Sequence, residues 1–202
     1  MTDPGAWERV IAEQLAESAQ VKERVTRDAN LLKVIAAVAG ELVGCYSKGK
    51  KTIFFGNGGS AADAQHLATE LVSRFKKDRK KLPSLALTTN TSTLTAIGND
   101  YGYEKVFSQQ IEAYANPGDV VVGISTSGNS PNVLEAFVVA RRMGCITVGM
   151  TGKSGGKVRG QVDYLIAVPS DDTPRIQESH IAIGHILCGI VEEALFGSTS
   201  TA

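Results

Sequence analysis

Two short polar segments have the residue types that hold an anion or a hydroxyl group close to a protein backbone. The first, residues 56–60, reads Gly-Asn-Gly-Gly-Ser and follows the apolar run 52–55. Its glycines permit positive φ angles, and Ser60 is a favourable N-cap for a helix whose free N–H groups would face a ligand. The segment lacks the Lys-Ser/Thr pair of a nucleotide P-loop and the spacing of a dinucleotide-binding turn. We therefore expect it to bind a phosphate or a sugar hydroxyl rather than ATP or NAD.

The second segment, residues 124–131, reads Ile-Ser-Thr-Ser-Gly-Asn-Ser-Pro and carries four hydroxyl groups. Hydroxyls and the free N–H groups at the start of a helix can enclose a phosphate without lysine or arginine, and Pro131 suits the first helical position. The same residue types also form ordinary turns, so composition alone leaves that alternative open. Their position between an apolar strand and a helix favours phosphate.

Two predicted helices carry imidazole, carboxylate and amide groups at spacings that share a helix face. His66 and Glu70 are four residues apart, which places both on one face. Gln177 and His185 are eight residues apart, about 80° around the helix axis, so both could face one cleft. From the residues alone, an exposed helical pair and a satisfied core histidine are the more common outcomes. His180 is predicted to be structural.

These groups must be positioned by an alternation of apolar runs and helical segments that begins at residue 52. The predicted strands are 52–55, 84–87, 119–124, 146–150 and 163–168. The predicted helices are 60–75, 106–115, 131–143, a short one at 154–160, and 174–196, with a helical turn around 92–98. Because the strands are continuous apolar runs, they belong in a parallel sheet that is covered on both faces. We predict a doubly wound, flavodoxin-like α/β fold with five parallel strands, in which both polar segments lie at the carboxyl ends of strands, where such sheets bind ligands.

The first part of the chain has a different pattern. Apolar residues three and four apart predict two helices within residues 6–49, which form an N-terminal extension, residues 1–50, to a domain that covers residues 51–197. The apolar stripe of such helices must be buried against the sheet or against a neighbouring subunit. We expect self-association through this extension.

Composition restricts the class of partner. Lysine plus arginine and aspartate plus glutamate number 21 each among 202 residues, so no overall field favours nucleic acid or an anionic membrane. The basic run 74–81 is predicted to be a solvated loop rather than a polyanion site. The three cysteines have no metal-binding spacing and are predicted to be reduced core residues. Because we find neither a signal-like segment nor about 18 consecutive apolar residues, we expect a soluble cytoplasmic protein.

Four segments taken together resemble one protein family. Residues 56–60, 96–103, 124–130 and 175–185, in this order and spacing, are similar to the bacterial phosphoheptose isomerases, which have a sugar isomerase (SIS) domain. The resemblance extends over essentially the whole chain, including the helical extension. It implies the SIS fold for this sequence.

The resemblance also implies a set of substrate-binding positions. To the matching positions we add Ser60 from the helix-cap argument, and Glu70 and Gln177 from the sets described next. The predicted substrate-binding residues are Asn57, Gly58, Gly59, Ser60, Glu70, Asn99, Asp100, Ser125, Thr126, Ser127, Ser130 and Gln177.

Zinc, an acid/base pair and a homotetramer are implied in the same way. The zinc ligands, for one ion per subunit, fall on His66, Glu70, Gln177 and His185, and the acid/base pair falls on Glu70 and His185. Imidazole and carboxylate groups suit zinc, whereas an amide oxygen is a weaker ligand that indicates an adjustable or partly occupied site. Similar proteins are homotetramers with active sites at subunit contacts.

The implied reaction interconverts D-sedoheptulose 7-phosphate and D-glycero-D-manno-heptose 7-phosphate through an enediol, the first step toward the activated heptoses of bacterial surface polysaccharides such as lipopolysaccharide. Two alternatives remain at this point. One is a non-catalytic SIS protein that binds the DnaA replication initiator, and the other is an isomerase of another sugar phosphate. The presence of both Glu70 and His185 argues against a pure binding module.

Overall fold

The computed structural model of the chain describes residues 4–197, so the Ser/Thr-rich tail from Ser198, which its composition predicts to fray, lies outside the described residues. The five strands are β1 (Thr52–Gly56), β2 (Ser84–Ala86), β3 (Val120–Ile124), β4 (Ile146–Thr151) and β5 (Tyr164–Ala167). The helices are α1 (Pro4–Arg27), α2 (Ala29–Ser47), α3 (Gly59–Val72), α4 (Thr91–Tyr101), α5 (Ser108–Tyr114), α6 (Pro131–Arg142) and α7 (Thr173–Phe196). Short 3₁₀ turns cover Tyr103–Lys105 and Gly156–Val158.

All strand pairs in the sheet are parallel, and the strand order is β2-β1-β3-β4-β5. The chain winds from β1 to β2 in one direction and from β3 to β5 in the other, so the topological switch point lies between β1 and β3. There Gly56 pairs with Ile124, which places the two polar segments side by side at the carboxyl end of the sheet. This arrangement confirms the predicted doubly wound five-stranded fold.

Apolar side chains pack against both faces of the sheet. Helices α1, α2, α3 and α7 cover one face, and helices α4, α5 and α6 cover the other. Consecutive strand residues alternate between the two cores: Phe54 belongs to the first, and Phe55 to the second. Because both faces are covered, the strands are apolar throughout rather than alternating, as the sequence indicated.

The two N-terminal helices differ in how much of their apolar surface is covered. The Asp28 side chain caps α2 by accepting bonds of 3.0 Å from the backbone N–H groups of Asn30 and Leu31. Helix α2 contributes residues to the same core as α7, whereas α1 is buried at Val21 and Val25 only. The division into an extension, 1–50, and a domain, 51–197, stays a prediction.

Helices α2 and α7 are long and apolar enough to cross a membrane by length and composition alone. Core helices of soluble proteins often have the same properties, and both helices here pack in the core on one face of the sheet. These two helices are therefore weak grounds for a membrane location.

The three cysteines are buried and unpaired, as predicted. Burial raises the pKa of the Cys45 and Cys145 thiols to about 11 and that of Cys188 to about 12. All three are therefore protonated at neutral pH and act as small core residues.

Two local predictions are wrong. Helix α3 has Gly58, not Ser60, as its N-cap, because the cap adopts φ 57°, a conformation that glycine adopts without strain. Ser60 is buried within the first turn. The run 74–81 is not a fully solvated loop, because Arg79 is buried in an ion pair with Glu192 of α7.

Candidate active site

His66, Glu70 and His185 converge where α3 lies beside α7. The Nε2 atoms of the two imidazoles are 2.8 Å apart, and His66 Nε2 lies 3.0 Å from Glu70 Oε1. His66 and His185 are separated by 119 residues in the chain. The helical pair of His66 and Glu70 therefore exists, but it is joined by a third group. Since His185 is only partly buried, it is not a core histidine.

Gly184 allows the two helices to come this close. A Cβ atom at position 184 would lie 2.7 Å from Cδ1 of Leu67, which is buried in the core. The next residue, His185, consequently reaches the side chains of α3. Phe75, which follows α3, stacks on the His185 ring at a centroid distance of 5.8 Å and an interplanar angle of 25°.

The donor atoms of this cluster fit a divalent metal. Two imidazole nitrogens and one carboxylate oxygen lie within 4.8 Å of one another. They match three ligands of a tetrahedral zinc site in number and in chemistry. The two Nε2 atoms are 2.8 Å apart, closer than the roughly 3.3 Å between nitrogens around tetrahedral zinc.

Within this chain, Gln177 lies apart from the other three predicted zinc ligands. Its carboxamide contacts the start of α3, since a Cβ atom on Gly59 would lie 2.6 Å from Gln177 Nε2. Gly59 precedes His66 by seven residues, about 10 Å of helix rise. Within one chain, the structure therefore brings three of the four predicted zinc ligands together and leaves Gln177 beside the first polar segment.

The two polar segments are joined by side-chain hydrogen bonds. The Asn57 and Asn132 carboxamides exchange two bonds of 2.9 Å, and the Tyr103 hydroxyl donates to Asn57 Oδ1 at 3.4 Å. In the second segment the hydroxyl oxygens of Ser125 and Ser130 are 3.0 Å apart. Asn132 and Tyr103 were missed from the sequence, because only the fold brings them to Asn57.

A cleft of about 260 Å³ opens beside the serine-rich segment. Its polar lining includes Thr126, Ser127, Lys153, Ser154, Ser170 and Asp171. The last four were missed from the sequence, although they follow β4 and β5 and the rule that ligands bind at strand carboxyl ends could have indicated them. Lys153 supplies a positive charge that the serine-rich segment itself lacks.

The remaining predicted residues occupy distinct surroundings. Gly58 and Gly59 are exposed at the start of α3. Asn99 and Asp100 are exposed in the last turn of α4, where Asn99 Nδ2 donates to Asp100 Oδ1 at 2.7 Å. Because the Tyr103 hydroxyl reaches Asn57, the end of α4 lies next to the first polar segment.

Two further ionisable groups lie on the same two helices, Asp63 on α3 and His180 on α7. Burial raises the pKa of Asp63, an effect that the charge of His66 partly offsets, and within the described part of the chain Asp63 Oδ2 is buried without a hydrogen-bond partner. His180 is fully buried and donates from Nε2 to the Thr151 carbonyl at 3.0 Å. This buried position is the one expected of a structural residue, as predicted for His180.

The chain is similar to named proteins along almost its whole length. The family model of the SIS domain matches residues 15–152. A phosphoheptose isomerase from Aneurinibacillus thermoaerophilus is 56% identical over 186 residues, which cover 92% of this chain and 94% of that protein. A phosphoheptose isomerase from Sulfurimonas denitrificans is 53% identical over 189 residues, which cover 94% of this chain and 97% of that protein. The structure of phosphoheptose isomerase from Neisseria gonorrhoeae superimposes with a TM-score of 0.87 at 41% identity and covers 93% of this chain and 99% of that one.

Proposed function

Because the chain belongs to the SIS domain family, and within it to the phosphoheptose isomerases, we propose that it interconverts D-sedoheptulose 7-phosphate and D-glycero-D-manno-heptose 7-phosphate. The observation that carries this proposal is the convergence of a carboxylate and two imidazoles where α3 lies beside α7, in a chain whose two polar turns meet at the carboxyl end of the sheet. An isomerase needs ionisable groups at the reacting carbons and neutral hydrogen-bonding groups along the sugar. The site provides both.

The reaction moves one proton between adjacent carbons. A base removes the proton from C1 of the ketose while an acid protonates the oxygen on C2, which gives an enediol. Proton return to C2 and loss of the proton from the oxygen on C1 then give the aldose. We assign proton transfer at carbon to Glu70 and the complementary transfer at oxygen to His185, each contributing roughly 10²–10⁴-fold.

We also propose zinc as the resident metal, with His66, Glu70 and His185 as ligands in support and Gln177 as the predicted fourth. Bound zinc supplies Lewis acidity to the sugar carbonyl. A carboxylate that binds a metal is a weaker base, so Glu70 must act as ligand and as base at different moments. Both proton transfers are therefore assigned to the side chains of Glu70 and His185.

The phosphate end of the substrate is assigned to the serine-rich segment. Ser125, Thr126, Ser127 and Ser130 offer hydroxyls before α6, and Pro131 starts that helix without needing its own N–H group. The adjacent cleft adds Lys153. Binding the phosphate, which lies far from the reacting carbons, positions C1 and C2 against the acid/base pair.

We propose that the chain works in the cytoplasm as a homotetramer. Support comes from α1, on which Trp7, Val10, Ile11 and Leu15 are between 53% and 68% exposed. Four large apolar side chains on one helix form a patch that soluble proteins usually cover with a partner. A second copy of the chain is the partner that the family implies.

Turnover of purified sedoheptulose 7-phosphate tests the mechanism. Glu70→Gln and His185→Ala should each lower kcat by at least about 100-fold, whereas Glu112→Gln, the same chemical change at an exposed residue on α5, should leave kcat unchanged. Zinc content by mass spectrometry should fall in His66→Ala. Near-normal turnover in both active-site variants removes the mechanism, and capture of the DnaA initiator without turnover supports the binding alternative.

A further inference from the structure

A buried ion pair connects the segment after α3 to α7, close to the proposed active site. Arg79 Nε lies 3.0 Å from Glu192 Oε1, and each side chain is only 2% exposed. Glu192 is seven residues after His185, two turns farther along α7. Burying two charges is unfavourable unless every remaining donor and acceptor is also bonded, so the other contacts of this pair show what it does.

The other donors of Arg79 bond the end of α3. Its Nη1 donates to the Leu71 carbonyl and its Nη2 to the Glu70 carbonyl, both at 2.8 Å. Carbonyls in the last turn of a helix have no partner within the helix. Arg79 therefore caps α3 and holds the backbone of Glu70, the residue assigned to proton transfer at carbon.

The second oxygen of Glu192 holds the connecting segment. Its Oε2 accepts from the backbone N–H groups of Lys76 and Lys77 at 3.0 and 3.1 Å. These bonds place Phe75, the preceding residue, so that its ring stacks on His185. The Glu192 carboxylate thus sets the position of the Phe75 ring, which packs against His185.

We infer that Arg79, Glu192 and Phe75 are positioning residues of the isomerisation. The buried pair sets the position of α3 along the axis of α7, and Phe75 fixes the orientation of the His185 imidazole. The inference rests on the proposed function, because it takes Glu70 and His185 as the acid/base pair. The inference gives Phe75 and Arg79, both within the basic run 74–81, a role that neither substrate binding nor metal binding explains.

Stability alone does not account for the pair. Buried ion pairs can often be replaced by apolar residues of similar volume with little loss of stability, whereas removing one partner is strongly destabilising. Replacing both residues here would remove the side-chain partners of the Glu70 carbonyl and of the Lys76 and Lys77 N–H groups. The Leu71 carbonyl would keep its bond from the Leu82 N–H group. The fold should persist while the catalytic groups lose their fixed separation.

The experiment compares two double variants. In Arg79→Met with Glu192→Leu, we expect a folded protein in which kcat falls about 10–100-fold, since small misplacements of catalytic groups have effects of this size, while KM changes less than about 3-fold. The matched control is Lys77→Met with Glu193→Leu, which removes an exposed ion pair between the same two segments. It should leave kcat and KM unchanged.

Three substitutions at Phe75 test whether an aromatic ring is needed beside His185. Phe75→Tyr and Phe75→Trp retain a ring over His185 and should keep kcat close to that of the unmodified chain. Phe75→Leu keeps an apolar side chain without the ring, and it should lower kcat about 10-fold. Equal kcat values for the leucine and tyrosine variants overturn the role of Phe75.

A second readout separates this inference from the proposed function. Zinc affinity, measured by competition with a chelator, should weaken about 10-fold or more in the Arg79/Glu192 double variant and not in the control, because supporting contacts tune metal ligands. Unchanged kcat and unchanged zinc affinity in the folded double variant overturn the inference. If the unmodified chain does not convert sedoheptulose 7-phosphate, the proposed function fails, and zinc affinity still tests the positioning role.

A single variant covers the case in which the double variant does not fold. Glu192→Gln, which keeps one accepting oxygen, should show the same losses of kcat and zinc affinity in smaller degree. Unchanged values there also overturn the inference.

Discussion

The carboxamides of Asn57 and Asn132 face each other and exchange two hydrogen bonds of 2.9 Å across 75 residues of sequence. Each amide uses its nitrogen as donor and its oxygen as acceptor. Asn57 belongs to the first polar segment, and Asn132 lies in the first turn of α6, directly after the second. The pair therefore fixes the two predicted substrate-binding turns relative to one another.

Asn132→Asp should separate the two turns. A carboxylate at position 132 has no donor for Asn57 Oδ1, so one of the two bonds becomes a repulsive contact between oxygens. We expect kcat/KM to fall about 10-fold, equivalent to about 1.4 kcal/mol, within the range for a lost buried hydrogen bond. Steady-state kinetics with sedoheptulose 7-phosphate measure this. Asn30→Asp, the same change at an exposed position of α2, is the control, and equal losses in both variants would contradict the prediction.

Gly59→Ala should displace Gln177 without unfolding the chain. The atoms nearest to the added methyl group would be the terminal atoms of the Gln177 side chain, which can move, and Gly59 is not among the glycines with positive φ. We expect the free energy of unfolding to change by less than about 1 kcal/mol, while kcat/KM falls about 10-fold. Gly40→Ala, which meets no atom within 4 Å, should stabilise α2 by about 0.5–1 kcal/mol. Unaltered kinetics in Gly59→Ala would show that Gln177 has no part in the reaction.

Gly184→Ala should push α7 away from α3. Its Cβ atom would overlap the buried side chain of Leu67, so we expect a loss of stability of about 1–3 kcal/mol together with a lower kcat. Gly189→Ala on the same helix meets only Phe75 Cε1, at an ordinary 3.6 Å. That control should be neutral or more stable by up to about 1 kcal/mol. Urea unfolding of both variants provides the measurement, and equal stabilities would contradict the close-packing argument.

His180 should make the chain less stable in acid. Burial lowers its pKa from 6.5 to about 4, so below pH 6.5 the unfolded state binds a proton that the folded state does not. The stabilisation is complete above pH 6.5 and is lost as the pH falls toward 4. The loss amounts to about 2 kcal/mol by pH 5. His180→Gln keeps an N–H donor for Thr151 and removes the titration. Unfolding free energies measured from pH 7.5 to pH 5 should therefore fall less in the variant, and parallel curves would refute the assignment.

The strands and most helices could be predicted because their signals are local. Apolar runs such as 120–124 and the helix-starting Pro131 need no knowledge of distant residues. Helix α4 was predicted only as a turn over 92–98, because its threonines and serine are poor helix formers. The structure extends it to Thr91–Tyr101, with Asn90 capping Thr93 N at 3.0 Å and Ile97 buried in the core. Capping and packing outweighed propensity there.

The active site was less predictable, because it depends on how distant elements pack. Periodicity places His66 and Glu70 on one helix face but does not give the height or rotation of α3 against α7, so the contact with His185 came only from the family resemblance. Burial of Arg79 and the place of Gln177 beside Gly59 depend on the same packing. A run of charged residues is usually exposed to solvent. Arg79 is buried here because it pairs with Glu192, which lies 113 residues away.

The position of α7 also determines when activity can appear during synthesis. All five strands precede this helix in the chain, and it carries His185, while His66 and Glu70 are made more than a hundred residues earlier. A nascent polypeptide still attached to the ribosome can therefore pair its strands before the second half of the acid/base pair exists. Catalysis becomes possible only once translation has passed α7 and that helix has docked.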